Sequence, residues 1–261
     1  MAAPSSNIEA MPVVRDLKDF DLKSGNRLER LIFNNRVPVM LVCLVVTVVL
    51  GFMAARVSLN ASYEKMLPTA HPYIQNYLAN KGQLRGLGNT LRVVVETTQG
   101  DIFDAAYLET LSKVNDELFL TPGVDRAWVK SIWMPVVRYT EVTEEGFAGG
   151  PVMPDTYDGS KKSLEQLRQN ITKAGLVGSL VANDYKSAMI VVPLLDVDPA
   201  SGNPIDYWAL SHAIEKNVRD KFETADGKYK VRVIGFAKIV GSLLDGVVQV
   251  ALYFVAAIAI A

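Results

Sequence analysis

Few side chains in this sequence have a type and spacing that could do chemistry. Two histidines, His71 and His212, and one cysteine, Cys43, are its whole stock of imidazole and thiol ligands. That leaves too few for a closed zinc site of the usual kinds, and a single cysteine excludes an intramolecular disulfide. The run Asp196-Val197-Asp198-Pro199-Ala200-Ser201-Gly202 starts like a calcium loop, in which oxygens at alternate positions converge on one cation. Ala200 holds the third oxygen position and Tyr207 stands where the closing glutamate is needed, so a strand-to-helix turn is the better account. Gly82, Gly86 and Gly88 of KGQLRGLGNT precede a strand, whereas a phosphate-cradling loop follows one and opens a helix; they read as backbone turns. There is no Gly-x-Ser-x-Gly elbow and no Cys/His pair with supporting residues. Trp128, Trp133, Phe103 and Tyr107 have the spacing of core packing more than of an apolar cleft. His71, in LPTAHPY, belongs to a proline-braced loop. His212 falls about 200° around its helix from Leu210, at the edge of the packing. The residues therefore name no catalytic, cofactor-binding or metal-binding position, and no cofactor is expected.

The information lies in how the apolar residues are distributed. The chain has 261 residues, 49% of them hydrophobic and 21% charged, which is too apolar for disorder over most of its length. With 27 basic against 28 acidic side chains, there is no basic stripe to suggest nucleic acid. Val37 to Ala55 is a nineteen-residue uncharged run between Arg36 and Arg56. As a helix it spans about 28 Å, close to the hydrocarbon core of a bilayer. Pro38 sits at its start, where a missing N–H does no harm. A cleaved signal peptide is the alternative, with Ala54 and Ala55 as the small residues. Against it, 36 residues precede the run, which is itself longer than a signal core of ~7–15 residues. A second uncharged run extends from Gly246 to Ala261, after Asp245. It stops without a polar flank, as expected of a piece of a longer membrane protein; a buried core helix is the alternative. Lys23, Arg27, Arg30 and Arg36 precede the first run, while Arg56 and Lys65 follow it, a bias that places the N-terminus in the cytoplasm. NRLERLIFNN carries Leu28, Leu31 and Ile32 at helical spacing, as an interfacial turn or two. No charge lies within either run, so no ion relay is expected in this chain.

These runs divide the chain into a cytoplasmic tail with an interfacial segment (1–36), a first membrane helix (37–55), an α/β domain (56–240) and a lead-in with a second membrane helix (241–261). The domain reads as two strand–helix–strand units. In the first, Leu91–Thr97 is a valine-rich strand and Phe103–Phe119 a helix with Tyr107, Leu111, Val114 and Leu118 as its stripe. Asp101 is its expected N-cap, and Val124–Ile132 is the next strand. Glu141–Ser160 is rich in glycine, proline and acids and reads as a long loop. Ser163–Lys173 is a short helix with Leu164, Leu167 and Ile171 inward, a Ser163/Gln166 capping box and Gly175 at its C-cap. Gly178–Ala182 pairs with the next strand across Asn183-Asp184. In the second unit Ser187–Val197 is a long apolar run consistent with a central strand, although Pro193 demotes its middle to a bulge or an edge, and Pro204 opens a helix with Leu210, Ile214, Val218 and Phe222 inward. Lys228–Phe236 is a half-buried strand with Tyr229, Val231 and Val233 on one face. The expected class is α+β: two membrane helices flanking a ferredoxin-like βαβ–βαβ sandwich. Ala237–Gly246, with Ile239, Val240, Leu243 and Leu244 at helical spacing, forms a continuous rod from the last strand towards the membrane.

This layout resembles the start of an RND-superfamily exporter of the MMPL-type branch, whose bacterial relatives include hopanoid and mycolate-lipid exporters. The pieces that carry the resemblance are LERLIFNNR before the first helix, Leu67-Pro68 with His71-Pro72 in SYEKMLPTAHPYIQNY, EGFAGGPVMP from Glu145 to Pro154, and Ile234-Gly235-Phe236 opening IGFAKIVGSLLDG. None is a catalytic signature; with the topology they cover nearly the whole chain. The resemblance implies a proton-driven, multi-pass transporter of the bacterial inner membrane, not an enzyme. It implies twelve helices in two halves, each with a βαβ-built periplasmic porter domain that handles hydrophobic or lipid-like cargo. This chain would supply the first helix, the first porter domain at 56–240 and the start of the second helix, with the relay residues beyond Ala261. Its implied partners are the bilayer, the cargo, the remainder of the transporter and a second copy of itself, with no nucleic acid. The open alternative is a two-helix membrane sensor whose periplasmic domain binds a ligand; a charged, heptad-patterned helix after Ala261 would mark it.

Overall fold

The computed structural model describes residues 26–54, 56, 67–81, 83, 89–199 and 201–260. The tail at 1–25, the SYEKM segment at 62–66 and Gly82, Gly86 and Gly88 lie outside the described residues. The chain divides into two units, 1–58 and 59–261.

In the first unit, α1 (Arg27–Asn34) is a short helix that leaves Leu28 and Leu31 exposed. After Asn35, α2 (Arg36–Ala54) carries the first apolar run. Its mean hydropathy is 2.7 and no part of it is buried in protein. Its hydroxyl is satisfied inside the helix, Thr47 donating to the Cys43 carbonyl at 2.8 Å, as an apolar surrounding demands. Pro38 falls in the first turn.

The second unit opens with α3 (Pro72–Asn80), capped by His71, whose Nδ1 accepts from the Tyr73 N–H at 3.2 Å. Its centre is a three-stranded antiparallel sheet in the order β4-β1-β5. The strands are β1 (Thr90–Thr97), β4 (Ser187–Pro193) and β5 (Tyr229–Ile234). In β1 burial alternates, with Leu91, Val93 and Val95 fully buried and Arg92 exposed, so one face is core and the other is wet. Val93 lies opposite Ile190 and Val233, which fixes the register. Against the core face lie α4 (Ala105–Leu120), α6 (Tyr207–Ile214) and the π-helical turn Glu215–Arg219, followed by the single turn α7 (Asp220–Phe222). Their stripes interlock in one cluster: Tyr107, Leu111, Val114 and Leu118 from α4 with Leu210, Ile214 and Val218.

Five local expectations need correction. The N-cap of α4 is Asp104, which accepts from the Ala106 N–H at 3.2 Å; Asp101 instead accepts from the Phe103 N–H at 2.9 Å. Val124–Ile132 is not a strand. It holds a 3-10 turn at Arg126–Trp128 and meets β4 through bridges at Lys130–Val191 and, just beyond it, Val124–Leu194. Its buried apolar residues Val124, Val129 and Ile132 follow one another at odd spacings, which a period of two cannot place on one face. The long loop contains a hairpin, β2 (Arg138–Thr143) with β3 (Gly146–Pro151), turning at Glu144-Glu145. The sequence GFAGGP argues against a strand by propensity, yet Gly149 is required: a Cβ there would lie 2.5 Å from the Tyr139 carbonyl. The helix α5 (Lys161–Lys173) is capped by Ser160, three residues before the expected box. In addition, α6 begins after Asp206, not at Pro204, which bridges Val197. Gly175 at φ +63° and the Gly178–Ala182 pairing, bridged at Val181–Ala188, stand as expected.

The last helix, α8 (Phe236–Ile260), follows β5 through Gly235 alone. A Cβ at Gly235 would meet Leu91 Cδ2 at 2.7 Å and the Thr90 carbonyl at 2.8 Å, so strand and helix join tightly against β1. The helix has 25 residues, or about 37 Å. Ala237, Val240 and Gly241 are buried; from Gly246 to Ile260 every residue is exposed. Like α2, it is long and apolar enough to cross a membrane.

Candidate functional site

Helix α6 is the element to which both candidate features of the second unit attach. Positions 207 and 211 lie about 200° around the helix from 209 and 213. The first pair meets α8 and the second lines a cleft.

On the α8 side the two backbones approach closely. A Cβ at Gly241 would stand 2.3 Å from Ser211 Cβ and 3.5 Å from the Tyr207 carbonyl, so only glycine fits this crossing. Tyr207 also packs edge-on against Phe236, ring centroids 5.7 Å apart. Polar ties flank the crossing. Towards the sheet, Lys238 Nζ lies 2.7 Å from Glu215 Oε1, an ion pair off the line of a hydrogen bond, and Glu215 Oε2 accepts from Arg219 at 2.9 Å. Towards the apolar run, Asp245 Oδ1 accepts from Trp208 Nε1 at 2.8 Å and lies 3.3 Å from His212 Nε2. His212 Nδ1 is 3.0 Å from the Trp208 carbonyl, and its ring lies 4.7 Å from the indole. Lys238, Gly241 and Asp245 recur at i, i+3 and i+7, one face of α8 turned to α6.

On its other side, α6 walls a cleft of about 370 Å³ with the turn that ends α4. Pro122, Ile205, Ala209, Leu210 and Ala213 give it apolar surface. Thr121, Ser201, Asn203, Asp198 and Asp206 supply polar groups. Gly123, at φ +86°, brings the backbone to 3.0 Å of Ile205 Cδ1, measured from where a Cβ would stand. Asp206 Oδ1 caps α6 by accepting from the Trp208 and Ala209 N–H groups at 2.9 and 3.1 Å.

The residues singled out by type are dispersed. The run from Asp196 forms a turn: Ser201 Oγ donates to Asp198 Oδ2 at 2.8 Å, Asp196 pairs with Lys81 at 3.3 Å, and Ala200 lies outside the described residues. No group of three or more His, Cys, Asp or Glu side chains placed to hold a metal occurs among the described residues. Of the four aromatics, Phe103, Tyr107 and Trp133 serve packing, whereas Trp128 is exposed on the 3-10 turn, against expectation. Trp133 Nε1 donates to the Leu108 carbonyl at 3.2 Å, and Phe103 lies under the Arg168 guanidinium at 4.1 Å. Buried Tyr107 donates to the Val95 carbonyl at 2.7 Å and accepts from the Ala188 N–H at 2.9 Å. Burial pushes its ionisation well above the usual 10.0, although the Ala188 bond pulls the other way. Hydrogen bonds from Ser160 and Ser163 hold the Asp158 carboxyl down at about 2, beside the α5 cap. Both shifts belong to structural positions away from the cleft.

The Trp208–Asp245 tie spans 37 positions and is not readable from spacing, although Asp245 is the last charge before the apolar run. The cleft joins residues 121–123 to 198–213, also beyond local pattern. In comparisons with known proteins, the chain matches no protein-family model and no curated protein.

Proposed function

We propose that this chain is part of a proton-driven RND-superfamily transporter of the MMPL-type branch. It supplies a first membrane helix, α2, a periplasmic substrate-handling domain, and a second membrane helix, α8. The observation that carries the reading is a three-stranded antiparallel sheet whose last strand passes through one glycine into an apolar helix; we read the unit as one of split-βαβ order. The sheet order β4-β1-β5 supports that order, since Lys130 and Val124 bridge at the outer edge of β4 and alongside its end, where the fourth strand of a ferredoxin-like sandwich belongs. The missing strand is reduced to two bridges. The physical rationale concerns solvation. A lipid-like solute gains little by entering water, whereas a dry cleft beside the bilayer can hold it. Working that cleft requires a rigid connection to the membrane segments, and α8 is continuous from β5 to Ile260. The bilayer, the cargo and the remaining helices of the transporter are the partners.

Leu243 is exposed on α8, 62% accessible, so Leu243→Pro breaks the helix without emptying the core. In the full-length parent protein in its native membrane, this variant is expected to be made and inserted at normal levels while export of lipid-like cargo falls severalfold. Unchanged export would refute the mechanical role of α8. The parent's sequence after Ala261 tests the class: closely spaced apolar spans agree with a transporter, whereas a charged heptad helix would overturn it in favour of a sensor.

A further inference from the structure

We propose that the cleft between α6 and the turn after α4 binds an amphipathic organic cation, an apolar body bearing one ammonium group. At about 370 Å³ it lies in the range of small-molecule sites, and its apolar floor suits a compact hydrocarbon. Charge selects the head group. Two carboxylates, Asp198 and Asp206, line the cleft, and among the described residues no Lys, Arg or His lines it. Asp206 already occupies the positive end of α6, accepting from two of its N–H groups, so that helix terminus has no call for a further anion. An incoming carboxylate or phosphate would be desolvated against two like charges. An ammonium would instead find two acceptors of opposite charge, one of them held in place by the Ser201 hydroxyl. The neutral lining groups Thr121 and Asn203 add hydrogen bonding without changing that sign. The proposal rests on the transport reading for calling this ligand a cargo; the binding itself does not depend on it.

The test uses the 261-residue chain in zwitterionic lipid nanodiscs and three probes with one adamantane cage: 1-aminoadamantane, 1-adamantanol and adamantane-1-carboxylate. Titrations are followed by ligand-observed saturation-transfer NMR, with empty nanodiscs subtracted. The ammonium is expected to bind at least about tenfold more tightly than the carboxylate, about 1.4 kcal/mol, with the alcohol between them. Asp198→Asn should reduce the ammonium to the alcohol's level. Ala209→Trp, on an exposed position of the cleft wall, should abolish binding of all three. Equal affinity for the three probes, or ammonium binding that survives Ala209→Trp, would overturn the proposal. Should Ala209→Trp fail to fold, the Asp198→Asn comparison decides alone. Export intact in the parent with no ammonium preference here rejects the cleft and leaves the transporter. Ammonium preference in a parent that lacks further apolar spans rejects the transporter and leaves the cleft.

Discussion

The Gly241–Ser211 crossing makes a prediction in which two effects of opposite sign compete. Gly241→Ala replaces a glycine inside a 25-residue helix, and helix propensity alone favours that change by about 1 kcal/mol. The new methyl, however, would sit 2.3 Å from Ser211 Cβ and 2.4 Å from its Oγ. Carbon atoms in contact ordinarily stand about 3.5–4.0 Å apart. Rotating Ser211 moves Oγ but not Cβ, so α6 and α8 must part by more than about 1 Å. That places the overpacking cost near ~3 kcal/mol, the upper end of its usual range. The net effect is a destabilisation of about 2 kcal/mol, or about 4–8 °C in Tm for a unit of this size. Thermal unfolding in detergent micelles, followed by circular dichroism, measures it. Trp208 emission reports the same crossing independently, because its indole N–H donates to Asp245 one turn beyond Gly241. The decisive comparison is the background Ser211→Gly, in which the opposing Cβ is gone. There Gly241→Ala should become stabilising, by the ~1 kcal/mol of propensity. If Gly241→Ala raises Tm in the native background, the close crossing does not exist and the reasoning about α6 and α8 fails with it.

Two further outcomes follow from buried or capping groups. Tyr107→Phe removes the phenol's bonds to the Val95 carbonyl and the Ala188 N–H, which also face each other across β1 and β4, and should cost about 1 kcal/mol in urea or thermal unfolding. Because the native phenol ionises only well above 10.0, the unfolded chain loses that proton first as pH rises; stability is therefore full below about pH 10 and falls above it. The alkaline decline should be shallower in Tyr107→Phe, and identical slopes would count against the buried phenol. For Asp158, held at about 2 against an ordinary 3.8, the sign is reversed: its contribution is present above pH ~4 and disappears between about 4 and 2. Amide protection factors at the first turn of α5, taken relative to the intrinsic exchange rate at each pH, should fall across that window in the native chain and stay level in Asp158→Asn.

Elements with an unbroken period were legible before any coordinates. The valines of β1, the stripe of α4 and the alternation of β5 each satisfy one period, and burial follows it residue by residue. The two apolar runs were equally plain. Legibility failed where local preference and tertiary need diverge. GFAGGP lacks the branched residues of a strand, yet it pairs with Arg138–Thr143 because glycine is the residue that fits beside the Tyr139 carbonyl. Val124–Ile132 has strand composition but the wrong spacing, and it gives up its ladder for a turn. Asp101 and Asp104 are both sound caps by type, and a sequence offers no means of choosing between them three residues apart. The cleft and the Asp245 tie were invisible for a different reason. Each joins segments brought together only by the sheet, and the members that residue type does single out, His212 in the tie and Asp198 and Ser201 in the cleft, carry no sign of their partners.

The contacts between α6 and α8 differ in strength along the helix, and the gradient has a mechanical consequence. The Lys238–Glu215 pair is about three-quarters buried, with side chains 21% and 24% accessible, and Glu215 also binds Arg219. Removing one partner there leaves a charge in a poor solvent, which is costly. The Gly241 crossing beside it is steric and has little give. Asp245 and His212, by contrast, are half exposed, at 47% and 52%, where an ion pair contributes ~0–1 kcal/mol. The junction is thus fixed at its sheet end and lightly tied at its apolar end. A lateral force on the exposed half of α8 would open the Asp245 contacts first and pivot the helix about Ala237–Gly241. Those first turns bear on Tyr207 and Ser211, and the opposite face of the same two-turn helix is the wall of the cleft. A displacement of the apolar segment would therefore reach the cleft wall through eight residues, Tyr207–Ile214.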